Sequence, residues 1–209
     1  MADVAAFVLA GGQSSRMGSD KASLLLGGRT LLERMLDLAR SVTADVHIVG
    51  PRAKFGHLGP VIEDTYTGCG PLAGIHAALA ASKCELNLIL ALDTPFLEPH
   101  FLRYLVEQAA VPAAVSAPNS PPQLPLVTFP RIAGQSQPLC AVYRRAFGAV
   151  AEASLRAGRY KIDPLFANIP CREIHDAELV RLAFDPQMFD NLNTPDEWEQ
   201  ARKRGPAGR

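Results

Sequence analysis

The sequence lacks a net charge, a long apolar run and any paired-cysteine motif. Its 21 basic and 21 acidic residues cancel, which argues against a protein that mainly coats nucleic acid or an anionic membrane. No apolar stretch approaches the roughly 18 residues that a membrane helix needs, and the run at 4–10 follows an acidic residue rather than a basic leader. The four cysteines form no CxxC pair. We therefore expect free thiols and a cytoplasmic location.

Several common motifs for nucleotides and metals are also missing. The turn after the first predicted strand has neither the GxGxxG spacing of dinucleotide-binding folds nor the spacing of a Walker loop. The five histidines show no HExxH pattern, so no zinc site is predicted. The sequence contains no internal repeat.

Apolar runs alternate with helical patterns along the first half of the chain. Strands are predicted at 4–10, 46–49, 60–62, 86–92 and 113–116, and helices at 31–40, 71–82 and 99–110. Such alternation predicts a parallel sheet with helices on both faces.

The second half is less regular. Seven of the 17 prolines fall between 112 and 138, which predicts an irregular insertion or lid there. A strand at 139–143, a helix at 144–157 and a last helix at 194–203 are predicted beyond it. We assign residues 1–200 to a single domain of ordinary size and residues 201–209, which are basic and contain no acid, to a disordered tail.

A glycine-rich turn with two cations follows the first predicted strand. Gly11 and Gly12 allow the backbone to approach a ligand and to point its N–H groups at phosphate oxygens. Arg16 and Lys21 add cationic donors to the same turn. The pattern indicates phosphate binding, although a flexible basic surface turn would have the same composition.

Asp93 directly follows the strand predicted at 86–92. Ligands of open parallel sheets lie outside the carboxyl ends of the strands, and the glycine-rich turn shares that edge with Asp93. A carboxylate beside phosphates suits Mg²⁺, which completes its coordination with phosphate oxygens and water. An Asx turn before Thr94 and Pro95 would explain the same aspartate.

Two further segments carry candidate ligand-binding residues. Gly70 and Gly74 lie at the entrance and in the first turns of a predicted helix, where a ligand can meet backbone N–H groups, and Asp64 would accept hydrogen bonds from a nucleobase or sugar. Helix packing would explain these residues equally well. Asn191 and Asn193 would point the same way on an extended strand, toward a phosphate or the water shell of a metal, although they also suit a turn.

These stretches together resemble known enzyme motifs. Residues 9–21, LAGGQSSRMGSDK, are similar to the LAGGxSxRMGxDK signature of nucleotidyltransferases with a glycosyltransferase-A-type, Rossmann-like fold. The segments GPLAG at 70–74, DTP at 93–95 and NLNTP at 191–195 resemble further motifs of the molybdenum cofactor guanylyltransferases. The resemblance spans nearly the whole chain, and it implies a three-layer α/β/α fold with a mostly parallel central sheet.

The resemblance also implies a reaction and its partners. The enzyme would join GMP from GTP to Mo-molybdopterin, giving molybdopterin guanine dinucleotide and pyrophosphate, with Mg²⁺ as cofactor. It implies molybdoenzymes or cofactor-delivery proteins as further partners, and neither nucleic acid nor a membrane. A cytidylyl- or sugar-phosphate nucleotidyltransferase of the same superfamily, or a noncatalytic GTP-binding module, remains the alternative.

Every candidate residue receives a role from the resemblance. Guanosine would be held by Leu9, Ala10, Gly11 and Asp64, and the substrate would also be bound through the backbone of Gly12, Gly70 and Gly74. The phosphates would be acted on catalytically by Arg16 and Lys21, and the catalytic metal ligand would be Asp93. The reacting phosphates or the pterin would be faced by Asn191 and Asn193.

Overall fold

A computed structural model of the protein describes residues 3–11, 20–112, 123–192 and 197–199. The strands in these ranges are β1 Val4–Leu9, β2 Leu25–Leu26, β3 Arg29–Thr30, β4 Val46–Val49, β5 Val61–Ile62, β6 Leu86–Ala91, β7 Val127–Ile132, β8 Gln135–Ser136, β9 Cys140–Arg144 and β10 Cys171–His175. The α-helices are α1 Leu31–Arg40, α2 Arg52–Phe55, α3 Pro71–Ala81, α4 Pro99–Ala109, α5 Phe147–Arg156, α6 Asp163–Phe166 and α7 Asp176–Arg181, and one-turn 3₁₀ helices cover Lys21–Ser23 and Pro186–Phe189.

Three predictions fall partly or wholly outside these ranges. The strand predicted at 113–116 and the tail at 201–209 lie outside the described residues. Of the helix predicted at 194–203, the structure describes 197–199, and these are helical.

The main sheet has the order β10-β7-β9-β6-β1-β4-β5, with β8 attached to β7. Strands β6, β1, β4 and β5 run parallel to one another, and β10 runs parallel to β7. The short β8 is antiparallel to β7, and β9 is antiparallel to both β6 and β7. The prediction of a mostly parallel sheet is confirmed.

The two central strands are buried on both faces, which explains their largely apolar sequences. Ala6 and Val8 of β1 pack into one hydrophobic core with α1, α4 and α7, whereas Phe7 and Leu9 pack into a second core with α3 and α5. All six residues of β6 are buried. The protein therefore has the predicted three layers, with one core on each side of the sheet.

Helix α1 begins with the capping box that its sequence predicts. The Thr30 hydroxyl accepts a hydrogen bond from Glu33 N at 3.2 Å, and the Glu33 carboxylate accepts one from Thr30 N at 2.8 Å. The apolar positions 31, 32, 35, 36 and 39 are all buried. Capping and amphipathic spacing thus agree in placing this helix on the sheet.

The prediction of an irregular insertion over 112–138 is wrong for residues 127–136, which form β7 and β8 in the main sheet. A proline is tolerated inside β7 because of where it sits: β7 pairs with β9 only at Val127 and Thr128. The N–H and C=O positions of one strand residue face the same side, and the carbonyl of Pro130 accepts from Gln137 N at 2.9 Å. The position at which Pro130 lacks an N–H therefore faces the β7–β8 hairpin. The hydrogen bonds between β7 and β10, on the other side of the strand, are unaffected.

Two further features bear on the sequence-based expectations. All four cysteines are free thiols, as predicted. None of the helices in the described ranges combines the length and hydrophobicity that a bilayer span requires.

The capping box generates a stability prediction. Thr30→Ala removes the oxygen that accepts from Glu33 N, and we expect the free energy of unfolding in urea to fall by about 1 kcal/mol. Thr30→Ser keeps a hydroxyl at the same position and is the matched control, with stability close to that of the wild type. Equal losses in the two variants would contradict a capping role for this side chain.

Candidate functional site

The pairing of β1 with β6 creates the edge on which the candidate residues meet. Leu9 and Ala91 are paired at the carboxyl ends of the two parallel strands, so the segments that begin at Ala10 and at Leu92 leave the sheet side by side. Backbone N–H groups of Ala10 and Gly11 both donate to the Val49 carbonyl, at 2.9 and 3.1 Å. The start of the glycine-rich turn is therefore anchored to β4.

Gly50, which has no predicted site role, allows this close approach. A Cβ at Gly50 would lie 3.2 Å from Gly11 N and 3.2 Å from the Phe55 ring, and a side chain there would push the turn away. The sequence feature that could have indicated this role is the position of Gly50 directly after β4, at the same carboxyl edge of the sheet. Gly12 and Arg16, which continue the turn, lie outside the described residues.

Lys21 is held at the start of a one-turn 3₁₀ helix. The Asp20 carboxylate accepts from Ala22 N at 3.4 Å and forms an ion pair with Lys54. Partial burial lowers the pKa of Lys21, while the negative charges of Asp93 and Glu197 act in the opposite direction. The structure thus places Lys21 within range of the negative charge of Asp93, and also of that of Glu197.

Glu197 has no predicted site role, because an acid in the first turn of a helix has a sufficient structural explanation. Its charge acts on Lys21 in the structure. The sequence feature that could have indicated this effect on Lys21 is that Glu197 lies in the same terminal segment as Asn191 and Asn193.

Asp93 occupies the loop after β6 and is half-buried. Its carbonyl accepts a hydrogen bond from Leu192 N at 2.8 Å, which brings the exposed Asn191 next to the loop. The pKa of the fully buried Cys140 thiol is raised, mainly by its own burial and to a smaller extent by the negative charge of Asp93. The Asx-turn alternative does not apply, because Pro95 holds the position whose N–H such a turn would use. Asn193 lies outside the described residues.

A second group of residues meets on the α3 side of β1. The Oδ1 atom of Asp64 is buried without a hydrogen-bond partner among the described residues, and burial raises the pKa of this carboxyl. A Cβ at Gly74 would lie 3.3 Å from Leu9 Cδ2 and 3.7 Å from Asp64 Oδ1. Close helix packing therefore explains Gly74, and the same packing puts Leu9 and an unpaired carboxylate oxygen together.

Gly70 forms the N-terminal boundary of α3 with a φ of 71°, in the left-handed region that favours glycine. It provides no side chain to cap the helix. Pro71 has no N–H, and Ala73 N donates to the Gly70 carbonyl at 3.2 Å. The first turn of α3, which lies beside Asp64, therefore contributes chiefly the positive end of the helix dipole.

The donor set fits a cation that needs few protein ligands. Within the described ranges, no group of three or more histidine, cysteine, aspartate or glutamate side chains is placed to hold a metal ion. Asp93 alone suits a hard divalent cation that takes its other ligands from substrate phosphates and water, and it does not suit a closed all-protein site.

The fold is that of an α/β protein whose candidate residues gather at the carboxyl edge of a mostly parallel sheet, the edge at which nucleotide-binding proteins of this architecture hold their ligands. The family model described as "MobA-like NTP transferase domain" matches residues 6–168. The chain belongs to this family of nucleotidyltransferases.

Proteins similar to this chain over nearly its whole length have names that refer to the same activity. A probable molybdenum cofactor guanylyltransferase of Pelotomaculum thermopropionicum is 34% identical over 93% of this chain and 90% of its own. A molybdenum cofactor guanylyltransferase of Desulfosudis oleivorans is 32% identical over 99% of this chain and 98% of its own. The crystal structure of molybdopterin-guanine dinucleotide biosynthesis protein A from Archaeoglobus fulgidus superimposes with a TM-score of 0.77 at 24% identity, over 95% of this chain and 97% of that one. The last likeness confirms the predicted fold.

The burial of Asp64 generates a prediction about stability and pH. Because its pKa is raised in the folded state, the folded protein holds this proton more tightly than the unfolded chain does. Stability is therefore lost as the pH rises through the window that starts at the ordinary aspartate pKa of about 3.9. We expect Asp64→Asn to be more stable than the wild type in urea at about pH 7, with a smaller difference at about pH 4.

The matched control is Glu107→Gln, which neutralises an exposed carboxylate on α4. We expect this variant to follow the wild type at both pH values. A destabilised Asp64→Asn at neutral pH would show that the Asp64 carboxylate has a stabilising partner.

Proposed function

We propose that this protein is a molybdenum cofactor guanylyltransferase, which transfers GMP from GTP to Mo-molybdopterin and releases pyrophosphate. The observation that carries the proposal is the arrangement at the carboxyl edge. The charge of Asp93 acts on Lys21, and the Asp64 oxygen without a partner among the described residues lies near Gly74, as the Leu9 side chain does. The family and the names of the full-length relatives support the same reaction.

Guanine recognition is proposed for the Asp64 side. Guanine carries two neighbouring donors, N1–H and the exocyclic N2–H, and an aspartate carboxylate accepts two hydrogen bonds. Adenine has an acceptor at N1, so it would leave a buried carboxylate oxygen unpaired at a cost of roughly 1 to 3 kcal/mol. Leu9, Ala10 and Gly11 would hold the guanosine through the edge of the sheet, and Gly70 and Gly74 would keep the entrance open.

Phosphate binding is proposed for the glycine-rich turn and the cations that follow it. Gly12 would contribute backbone N–H groups, and Arg16 and Lys21 would neutralise phosphate oxygens. The lowered pKa of Lys21 is consistent with this role, because a partly desolvated ammonium interacts more strongly with an anion than an exposed one does.

Asp93 is proposed to hold a divalent cation, specifically Mg²⁺. When bound, the cation would neutralise charge on the triphosphate and orient it. Because Asp93 would be the cation's only carboxylate ligand from the protein, the remaining coordination positions would be open to phosphate oxygens and water. Asn191 and Asn193 would contact the reacting phosphates or the pterin.

The reaction follows from these roles. An oxygen of the terminal phosphate of molybdopterin forms a bond to the α-phosphorus of GTP, and the bond from that phosphorus to the β-bridging oxygen breaks. Pyrophosphate leaves with the electron pair. The nucleophile is already an anion, so no general base is required, and the barrier lies in bringing two polyanions together. Each positioned donor would contribute roughly 3 to 4 kcal/mol to the transition state.

The proposal extends to the surroundings of the enzyme. The product would pass to molybdoenzymes or cofactor-delivery proteins. A cytoplasmic location would supply GTP and the reducing conditions that suit four free thiols.

The first test addresses the cation. Asp93→Asn keeps the size of the side chain and removes its charge, and we expect pyrophosphate release with GTP, molybdopterin and Mg²⁺ to fall about 100-fold or more. The thermal unfolding midpoint should stay near that of the wild type. The control Glu107→Gln should be fully active, and a folded, fully active Asp93→Asn would refute the metal-ligand role.

The second test addresses the base. Wild-type protein should release pyrophosphate with GTP in preference to ATP, CTP and UTP, and only when molybdopterin is present. Asp64→Asn should lose about 10-fold or more in kcat/KM for GTP, since roughly 1.4 kcal/mol corresponds to a factor of ten. Its much weaker activity with the other nucleotides should change little. A preference for CTP would favour the cytidylyl alternative, and GTP binding without turnover would favour the noncatalytic one.

A further inference from the structure

A third hydrophobic cluster lies apart from the two cores on the sheet. We call it the edge cluster, and its members are the buried Leu26, Leu31, Phe96 and Leu192 and the partly buried Leu24 and Trp198. None of these residues belongs to a strand of the main sheet. They come from three distant segments: the β2–β3 hairpin with the start of α1, the loop after β6, and the terminal segment.

Each of these segments also carries a polar residue of the candidate site. Phe96 follows Asp93 by three positions, Leu24 follows Lys21 by three, and the terminal segment holds Asn191 beside Leu192 and Glu197 beside Trp198. The edge cluster is therefore the hydrophobic contact that these three site segments share.

Backbone hydrogen bonds connect the edge cluster to the charged residues. Leu192 N donates to the Asp93 carbonyl at 2.8 Å, and Leu24 N donates to the Lys21 carbonyl at 3.2 Å. Leu31 N in turn donates to the Leu24 carbonyl at 2.9 Å. A displaced cluster would move both backbone positions from which the Lys21 and Asp93 side chains project.

We infer that the edge cluster sets the distance between Lys21 and Asp93, with Leu192 as a positioning residue for the proposed transfer reaction. This inference rests on the proposed function of that site. Leu192 has this role because it both packs in the cluster and donates directly to Asp93, and it is 3% exposed. The nucleobase side is supported separately, because Leu9 and Val49 belong to the core beneath α3.

The test compares Leu192→Ala with Leu79→Ala. Leu79 is 2% exposed in the core between α3 and the sheet, so both variants remove the same atoms from a buried position. Leu192→Ala should lower kcat for pyrophosphate release about 10- to 100-fold, as misplaced catalytic groups do, with little change in the KM for GTP. Leu79→Ala should lower the unfolding midpoint and leave kcat near the wild-type value. Leu192→Met should restore most of the activity.

A second measurement does not depend on activity. Amide hydrogen exchange at position 192 reports the hydrogen bond to Asp93 directly, and Leu192→Ala should speed this exchange while Leu79→Ala should not. Unchanged exchange at position 192, or an equal loss of kcat in the two alanine variants, would overturn the inference. If wild-type protein released no pyrophosphate from GTP, the proposed function would fail, and the exchange comparison would still decide whether the edge cluster holds the Asp93 loop.

Discussion

The parallel pairing of β1 with β6 is the constraint on which the rest of the site depends. The register joins Leu9 to Ala91, so the turn that begins at Ala10 and the loop that contains Asp93 start at the same height. A slip of one residue would shift one strand by about 3.3 Å and exchange its two faces. Because β1 has a core on each side, with Phe7 and Val8 facing opposite layers, such a slip would disrupt both.

The site retains electrostatic costs that a purely structural edge would avoid. Burial lowers the pKa of Lys21 and raises that of Asp64, so each charged form is disfavoured by its surroundings. Asp64 Oδ1 has no partner within the described residues, although buried polar atoms are usually paired. Unfavourable burial of this kind is typical of sites that a ligand completes, because the ligand provides the missing partners.

The parts of the structure that the sequence predicted are those with local causes. The apolar runs of β1 and β6 and the capping box at Thr30 are visible within a few residues, and the motifs assign the candidate residues to the carboxyl edge of the sheet. The position of Pro130 in β7 was missed, because it is tolerated only through the neighbours that β7 has in the sheet. Glu197 was missed for a similar reason, since its effect on Lys21 depends on how the terminal segment packs. The roles of the individual site residues remain predictions.

The two sides of the site rest on different supports, and this has consequences for specificity. Asp64 and Gly74 depend on the core beneath α3, whereas Asp93 and Lys21 are tied to the edge cluster of Leu24, Leu26, Leu31, Phe96, Leu192 and Trp198. A change in the loop that bears Asp64 would therefore alter the proposed base contacts without moving the residues proposed to bind the cation and the phosphates. On this architecture, related nucleotidyltransferases can differ in the base they accept while keeping one chemistry at phosphorus. Under the proposed roles, base preference is set on the α3 side of β1, because the phosphate side would be the same for any nucleoside triphosphate.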